Sequence, residues 1–209
     1  MSLRLTPAAR AALAAAALVA AAALLALLLG GGRAPARAAT TTTAPGARTV
    51  ALRFSGGHAT DPRDHGRPVV LVAAGLGVPA PVFRRAFGGV TPAPAGSEPD
   101  PAQVQRNKQA LLAVLAPYGV TNDRLDEVSN RYRYVASAGE LWTHAAARGT
   151  AAVRAGRVVA VRVTRGGAGY SSAPRVTVPG HPAVRIRARV AYGTDLATNG
   201  AVAGLRIVR

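Results

Sequence analysis

Residues 158–178 read VVAVRVTRGGAGYSSAPRVTV and decide the fold of the C-terminal third. Val158 to Thr164 alternates β-branched residues with other types, which is typical of a strand. The glycines that follow adopt positive φ angles without a Cβ clash, so they favour a tight turn. Arg175 to Val178 then alternates again after Pro174. The stretch therefore predicts two short strands connected through a glycine-rich turn.

The same alternation continues towards the C-terminus. Ala183 to Tyr192 places apolar residues on one face and arginines on the other. Asn199-Gly200 is a strong β-hairpin signal, and Ala201 to Arg209 follow it. We therefore predict a short antiparallel β domain over residues 150–209.

A short internal sequence repeat, which we call the internal echo, supports a repeated β unit. Residues 156–165, GRVVAVRVTR, align with residues 200–209, GAVAGLRIVR, at an offset of 44 residues. A period of this length suits a β-repeat array, and here the second unit stops after its first strand.

These residues resemble a β-repeat of large bacterial surface proteins and phage structural proteins, in which a strand precedes the pattern GGxGYxxxPxVTV. The match covers roughly residues 152–209. The resemblance implies a structural module and no particular chemistry. A single unit, unlike a long array, implies an accessory domain. The positions that carry the match are Gly166, Gly167, Gly169, Tyr170, Pro174, Val176 and Thr177.

The N-terminus predicts export from the cytoplasm. Arg4 and Arg10 precede an uncharged apolar run from Ala11 to Leu29, and a small-residue site follows that favours cleavage after Ala38. The run is also long enough to cross a bilayer as a helix, so a retained membrane anchor is the alternative to a cleaved signal peptide. Both interpretations place the remainder in the periplasm, outside the cell or on the inner membrane.

Composition excludes several classes of function. The chain has 209 residues and no cysteine, which excludes a disulfide scaffold, a thiol catalyst and a cysteine-based metal site. Nothing in it predicts a cofactor. It has no phosphate-binding loop, dinucleotide-binding glycine pattern or Gly-x-Ser-x-Gly elbow.

The charge is large and uneven. Lys plus Arg is 26 and Asp plus Glu is 9, a formal charge of +17, and only one basic residue is lysine. Residues 150–209 hold ten basic residues and one acidic residue. This third predicts contact with an anionic envelope polymer or a lipid surface. A compositionally biased, solvated face is the alternative. No specific nucleic-acid partner is expected, because no recognition motif or set of stacking aromatics is present.

The middle of the chain predicts helices. Residues 39–48 are a polar linker, and residues 49–147 form a mainly helical domain that begins with a short strand at 49–55. Helix starts are indicated at Pro68, at Pro79 and Pro81, at Asp100, and at one of Thr121, Asn122 and Asp123. This core is marginal alone, so we expect the helices and the C-terminal strands to share an interface. The fold class predicted for the whole chain is α+β.

Residues 56–68, GGHATDPRDHGRP, gather the candidate catalytic residues His58, Asp61, Asp64 and His65. Histidine and carboxylate side chains are metal ligands and acid–base groups. The alternative is that both aspartates form side-chain-to-backbone turns. The stretch is similar to one in uncharacterised exported proteins of environmental bacteria, a likeness that implies no activity. Trp142, in a later connector, is interpreted as a packing anchor.

Two functions from different classes remain. The favoured hypothesis is an exported, non-catalytic binding or structural module. The alternative is an exported hydrolase or metal-dependent enzyme that uses His58, Asp61, Asp64 and His65. Convergence of at least three of these side chains would favour the enzyme.

Overall fold

The computed structural model describes residues 46–91, 100–134 and 138–208. The apolar run Ala11 to Leu29, the cleavage candidate after Ala38 and most of the predicted linker lie outside these ranges.

The described residues have an α+β fold, in agreement with the predicted class. The helices are α1 (Val69–Leu76), α2 (Ala80–Phe87), α3 (Pro101–Leu115) and α4 (Asn122–Arg131), with 3-10 turns at Pro62–Asp64 and Ala116–Tyr118. The strands are β1 (Arg48–Ala51), β2 (Arg53–Ser55), β3 (Arg148–Arg154), β4 (Arg157–Arg165), β5 (Arg175–Thr177), β6 (Arg185–Ala191) and β7 (Ala201–Val208).

The helices begin where the capping residues predict. The side chain of Asp100 accepts a hydrogen bond from the Ala102 amide at 3.1 Å, and Pro101 occupies the first turn of α3. Thr121 caps α4 in the same way by accepting from the Arg124 amide at 3.2 Å.

The four helices bury one hydrophobic core. Leu71, Leu115 and Val128 lie at its centre and are fully buried. Trp142 is 1% exposed and packs into the same core, which confirms its prediction as an anchor. In the part of the chain that the structure describes, no single helix has the length and apolar character to span a membrane. Among the described helices, α1 and α2 pass that test as a pair, bent by 103° at their junction.

The strands form two antiparallel sheets that enclose a second core. The orders are β1-β3-β4 in the first sheet and β2-β5-β6-β7 in the second sheet. The single strand predicted at 49–55 is therefore wrong in detail, because the chain changes sheets at Leu52. Leu52 is buried, and its amide donates to Gly149 O at 2.9 Å. One buried residue at the corner thus contributes to the core between both sheets.

The two copies of the internal echo are β4 and β7, which form one edge of the first sheet and one edge of the second. They meet where the Val202 amide donates to Gly166 O at 2.9 Å. The β6–β7 hairpin exists, but Asn199-Gly200 is not its two-residue tip. These residues end a longer connection over residues 192–200, and Asn199 is 1% exposed.

Asn199 joins the strands to the helices. Its Nδ2 donates to Leu71 O and to the Tyr132 hydroxyl, each at 2.8 Å, and its Oδ1 accepts from the Gly193 amide at 3.2 Å. Leu196, from the same connection, packs against the helical core. The expected interface between helices and strands is confirmed.

Candidate functional site

The two predicted carboxylates bind arginines. Asp61 accepts from the Arg63 amide and, through both oxygens, from the Arg63 guanidinium. These hydrogen bonds hold the pKa of Asp61 well below its usual range. Asp64 is 4% exposed and pairs with Arg84, which donates from Nε at 2.7 Å and from Nη2 at 2.8 Å. The turn interpretation therefore describes Asp61, whereas sequence reasoning missed the buried ion pair of Asp64.

The two histidines have different partners from the carboxylates. His65 is an exposed turn residue at φ 48°, and its amide donates to Pro62 O at 3.2 Å. The His58 ring stacks on Tyr170, with centroids 5.3 Å apart, and meets the rings of His144 at 4.8 Å and Trp142 at 5.9 Å. Burial, and then the nearby His144, lowers the pKa of His58. Within residues 46–91, 100–134 and 138–208, no three His, Cys, Asp or Glu side chains are placed to hold a metal ion.

The predicted repeat turn packs closely against the connector that holds Trp142. Gly167 and Gly169 have φ angles of 68° and 79°, and a Cβ on them would lie 2.3 Å from Ala145 O and 2.8 Å from Thr143 O. Only glycine therefore lets the turn lie this close to the connector. Trp142 Nε1 donates to Gly169 O at 2.8 Å, and the Tyr170 hydroxyl accepts from the Ala147 amide at 2.9 Å.

The residues that follow the repeat turn glycines also hold the segment around His58. Ser171 Oγ donates to Ala59 O at 2.8 Å, and the Ala59 amide donates to Ser172 Oγ at 3.1 Å. The Ser172 amide donates to Gly57 O at 3.1 Å. The two glycine-rich motifs that the sequence presents separately are therefore in direct contact.

A different set of residues forms a continuous basic surface on the second sheet. In the β2–β5 and β5–β6 registers, Phe54, Val176 and Ile186 pair along the inner face. Because side chains alternate between faces, the residues on either side of them point outward. We call the outward surface the arginine face. Its six exposed arginines are Arg53, Arg175, Arg185, Arg187, Arg189 and Arg206.

In the part of the chain that the structure describes, no carboxylate pairs with the arginine face. Residues 141–194 contain no Asp or Glu. Asp195, in the β6–β7 connection, caps its own turn by accepting from the Thr198 hydroxyl and the Ala197 amide. Among the described residues, no ion pair includes any of the six arginines. The surface therefore keeps its full formal charge.

Comparison of the chain with protein-family models, curated proteins and solved structures finds no match.

Like charges face one another across neighbouring strands. Arg187 lies directly opposite Arg206 in the β6–β7 register. The first sheet repeats this arrangement, with Arg148 opposite Arg165 and Arg154 opposite Arg157. Directly opposed like charges destabilise an antiparallel pair. Sequence reasoning found the alternating arginines of β6, but the pairing brought Arg53, Arg175 and Arg206 to the same face.

A shallow gap completes the surface. Gly204 lies opposite Arg189, and a Cβ on it would meet no atom within 4 Å. A cavity of about 410 Å³ lies over this part of β6 and β7. Its lining residues are Arg187, Ala188, Arg189, Gly204, Leu205 and Arg206. Several guanidinium groups thus surround a space that an anionic group of a ligand can enter.

Proposed function

We propose that this protein is an exported, non-catalytic binding module that holds an anionic polymer of the cell envelope on its arginine face. The observation that carries the proposal is the group of six exposed arginines, none of which forms an ion pair with another described residue. The apolar N-terminal run supports export, as a cleaved signal or as an anchor. In this proposal the four described helices brace the β-repeat module at 150–209, whose sheets also include β1 and β2.

The spacing of the charges suits a chain-like ligand. Alternate residues of β6 lie about 6.6–6.8 Å apart, and neighbouring strands are about 4.8 Å apart. Arg185, Arg187 and Arg189 therefore form a row, with Arg175 and Arg206 on the adjacent strands. The planar guanidinium matches carboxylate, sulfate and phosphate oxygens in pairs. A polymer with repeated anionic groups can contact several arginines at once.

The composition of the face favours a polymer over a membrane or a nucleic acid. Surfaces that insert into bilayers combine cations with Trp, Phe or Leu, whereas the large apolar residue on this face is Val208, which lies opposite Arg185. Single-stranded nucleic acids are held by aromatic stacking, and no aromatic side chain lies among these outward positions.

Binding of the full-length protein to immobilised dextran sulfate, with neutral dextran as the blank, tests the proposal. The variant R187Q/R189Q/R206Q removes three charges from the arginine face. The variant R85Q/R106Q/R133Q removes three exposed charges from the helical part. We expect the first variant to lose about tenfold or more in affinity and the second to stay near wild type, because only the clustered charges act together.

Salt dependence and competing ligands complete the design. Wild-type affinity should fall steeply as ionic strength rises from about 0.05 M to about 0.5 M. Equal losses in both variants, or binding insensitive to salt, would contradict the proposal. If the protein binds vesicles of anionic lipid more tightly than dextran sulfate, and this binding requires the arginine face, the ligand is a membrane surface. Tighter binding to single-stranded DNA than to dextran sulfate would instead indicate a nucleic acid.

A further inference from the structure

A second basic site lies in the helical part, away from the arginine face. A cavity of about 440 Å³ opens beside the 3-10 turn Pro62–Asp64 and the end of α2. This volume is within the range of small-molecule sites, about 300–1,000 Å³. Its lining residues are Arg63, Asp64, His65, Arg67, Val69, Arg84, Phe87, Gly88 and Val90.

Two of its three arginines are already paired. Arg63 binds both oxygens of Asp61, and Arg84 binds both oxygens of Asp64. The carboxylates predicted as catalytic thus hold two guanidinium groups in fixed positions. With both paired carboxylates counted, three arginines face two aspartates, a formal balance of 3 − 2 = +1 with His65 neutral.

Arg67 is the arginine that remains. Its backbone is fixed, because its amide donates to Asp64 O at 3.0 Å and its carbonyl accepts from the Val69 amide at 2.9 Å. Its guanidinium lies over the Phe87 ring, with Cζ 4.4 Å from the centroid. Its Nε is buried, and no acceptor in the described ranges bonds to it. Among the described residues Arg67 takes part in no ion pair, in contrast to Arg63 and Arg84, so its positive charge is the one that remains for an anion in the cavity.

The walls of the cavity define the rest of that ligand. Val69, Phe87 and Val90 supply apolar surface beside the cations. We propose that the cavity binds one small organic oxyanion, either a carboxylate or a phosphomonoester on a short apolar body. Arg67 supplies the charge and donates to its oxygens, and the paired Arg63 and Arg84 line the site. This site uses residues 63–90 and is independent of the arginine face.

Titration calorimetry of the full-length protein with phenyl phosphate and with benzoate tests the site, and benzyl alcohol serves as the neutral control. We expect one site per chain for at least one of the two anions and none for the alcohol. R67Q should lower the affinity for that anion by about 10- to 100-fold, because it removes a charge-assisted contact. R67K should also lower this affinity, because the ammonium group of lysine lacks the planar, paired N–H donors of a guanidinium.

The matched control is R85Q, which removes an exposed charge next to Arg84 from a residue outside the cavity. It should bind like wild type, as should R187Q/R189Q/R206Q. An equal loss in R85Q and R67Q, unchanged binding in R67Q, or no binding of either anion would overturn the proposal. If R67Q does not fold, NMR of the wild type decides. The Arg67 Nε–H and the Gly88 amide should shift with the anion, and an unshifted Arg67 would refute the site.

Discussion

The imidazole of His58 lies nearly parallel to the ring of Tyr170, with the centroids 5.3 Å apart and an interplanar angle of 17°. The two residues belong to separate glycine-rich motifs, 112 positions apart in the chain. Gly57 makes the contact possible, because a Cβ at that position would lie 2.5 Å from Tyr170 Cδ1. The stack therefore fixes the segment that follows β2 onto the repeat turn.

His58 should make stability depend on pH. Its folded pKa is below the ordinary value of 6.5, so the unfolded chain binds the proton first as pH falls. We expect the free energy of unfolding to decrease between about pH 7.5 and about pH 5.5, until the folded pKa is passed. His58→Phe keeps a ring on Tyr170 and should flatten this dependence in denaturant titrations. His65→Asn, at an exposed turn position, should leave it intact. A wild-type slope in His58→Phe would show that His58 is not the group responsible.

Tyr170→Phe should lower stability. The Tyr170 hydroxyl accepts the buried Ala147 amide at 2.9 Å, and the substitution leaves that N–H without an acceptor. The expected loss is about 1–3 kcal/mol in the free energy of unfolding, measured by denaturant titration. Tyr118→Phe is the control, because Tyr118 is 49% exposed and should change stability little. Equal effects in the two variants would argue against this role of the hydroxyl.

Asn199→Ala should loosen the interface between helices and strands. It leaves Leu71 O and the Tyr132 hydroxyl without the Nδ2 donor in a buried site. We expect a loss of about 2–4 kcal/mol, and amide exchange should quicken first in α1 and at the start of β7. Asn130→Ala, on the exposed side of α4, should cost about 0.5 kcal/mol or less. Uniform exchange in Asn199→Ala would instead indicate one cooperative unit.

Arg206→Glu should separate stability from binding. It replaces the like-charge pair with Arg187 by an opposite-charge pair. We expect a gain of about 0.2–1 kcal/mol that shrinks with added salt. The same variant should bind dextran sulfate more weakly, because it reverses a charge on the arginine face. Arg162 faces Thr150, so Arg162→Glu relieves no repulsion between paired arginines and should gain less stability. Lower stability in Arg206→Glu would contradict the role of the opposed charges.

The β3–β4 turn offers a stabilising substitution. Ala155 has a φ of 46°, a left-handed conformation that favours glycine and asparagine. Ala155→Asn should raise stability by about 0.5–1 kcal/mol in thermal unfolding. Ala155→Val should lower it, because a β-branched side chain is strained at that angle. If stability changes in the same direction in both variants, the left-handed conformation of Ala155 does not explain their effects.

The sequence by itself determined the features that depend on neighbouring residues. Alternation predicted β4 and β6, because side-chain direction in a strand follows from position alone. Asp100 predicted one helix start, and the adjacent Thr121, Asn122 and Asp123 predicted another, because a cap satisfies amides within its own first turn. The absence of cysteine and the excess of arginine in the C-terminal third were equally visible there.

Only the tertiary structure decided the features that depend on distant partners. Asp64 could be matched to Arg84, and His58 to Tyr170, only after the helices and the repeat turn were packed. Likewise, strand register placed Arg206 opposite Arg187 and added Arg53 to the same face. Local preferences carry no information about which strand pairs with which, since pairing depends on the cores that the strands bury together.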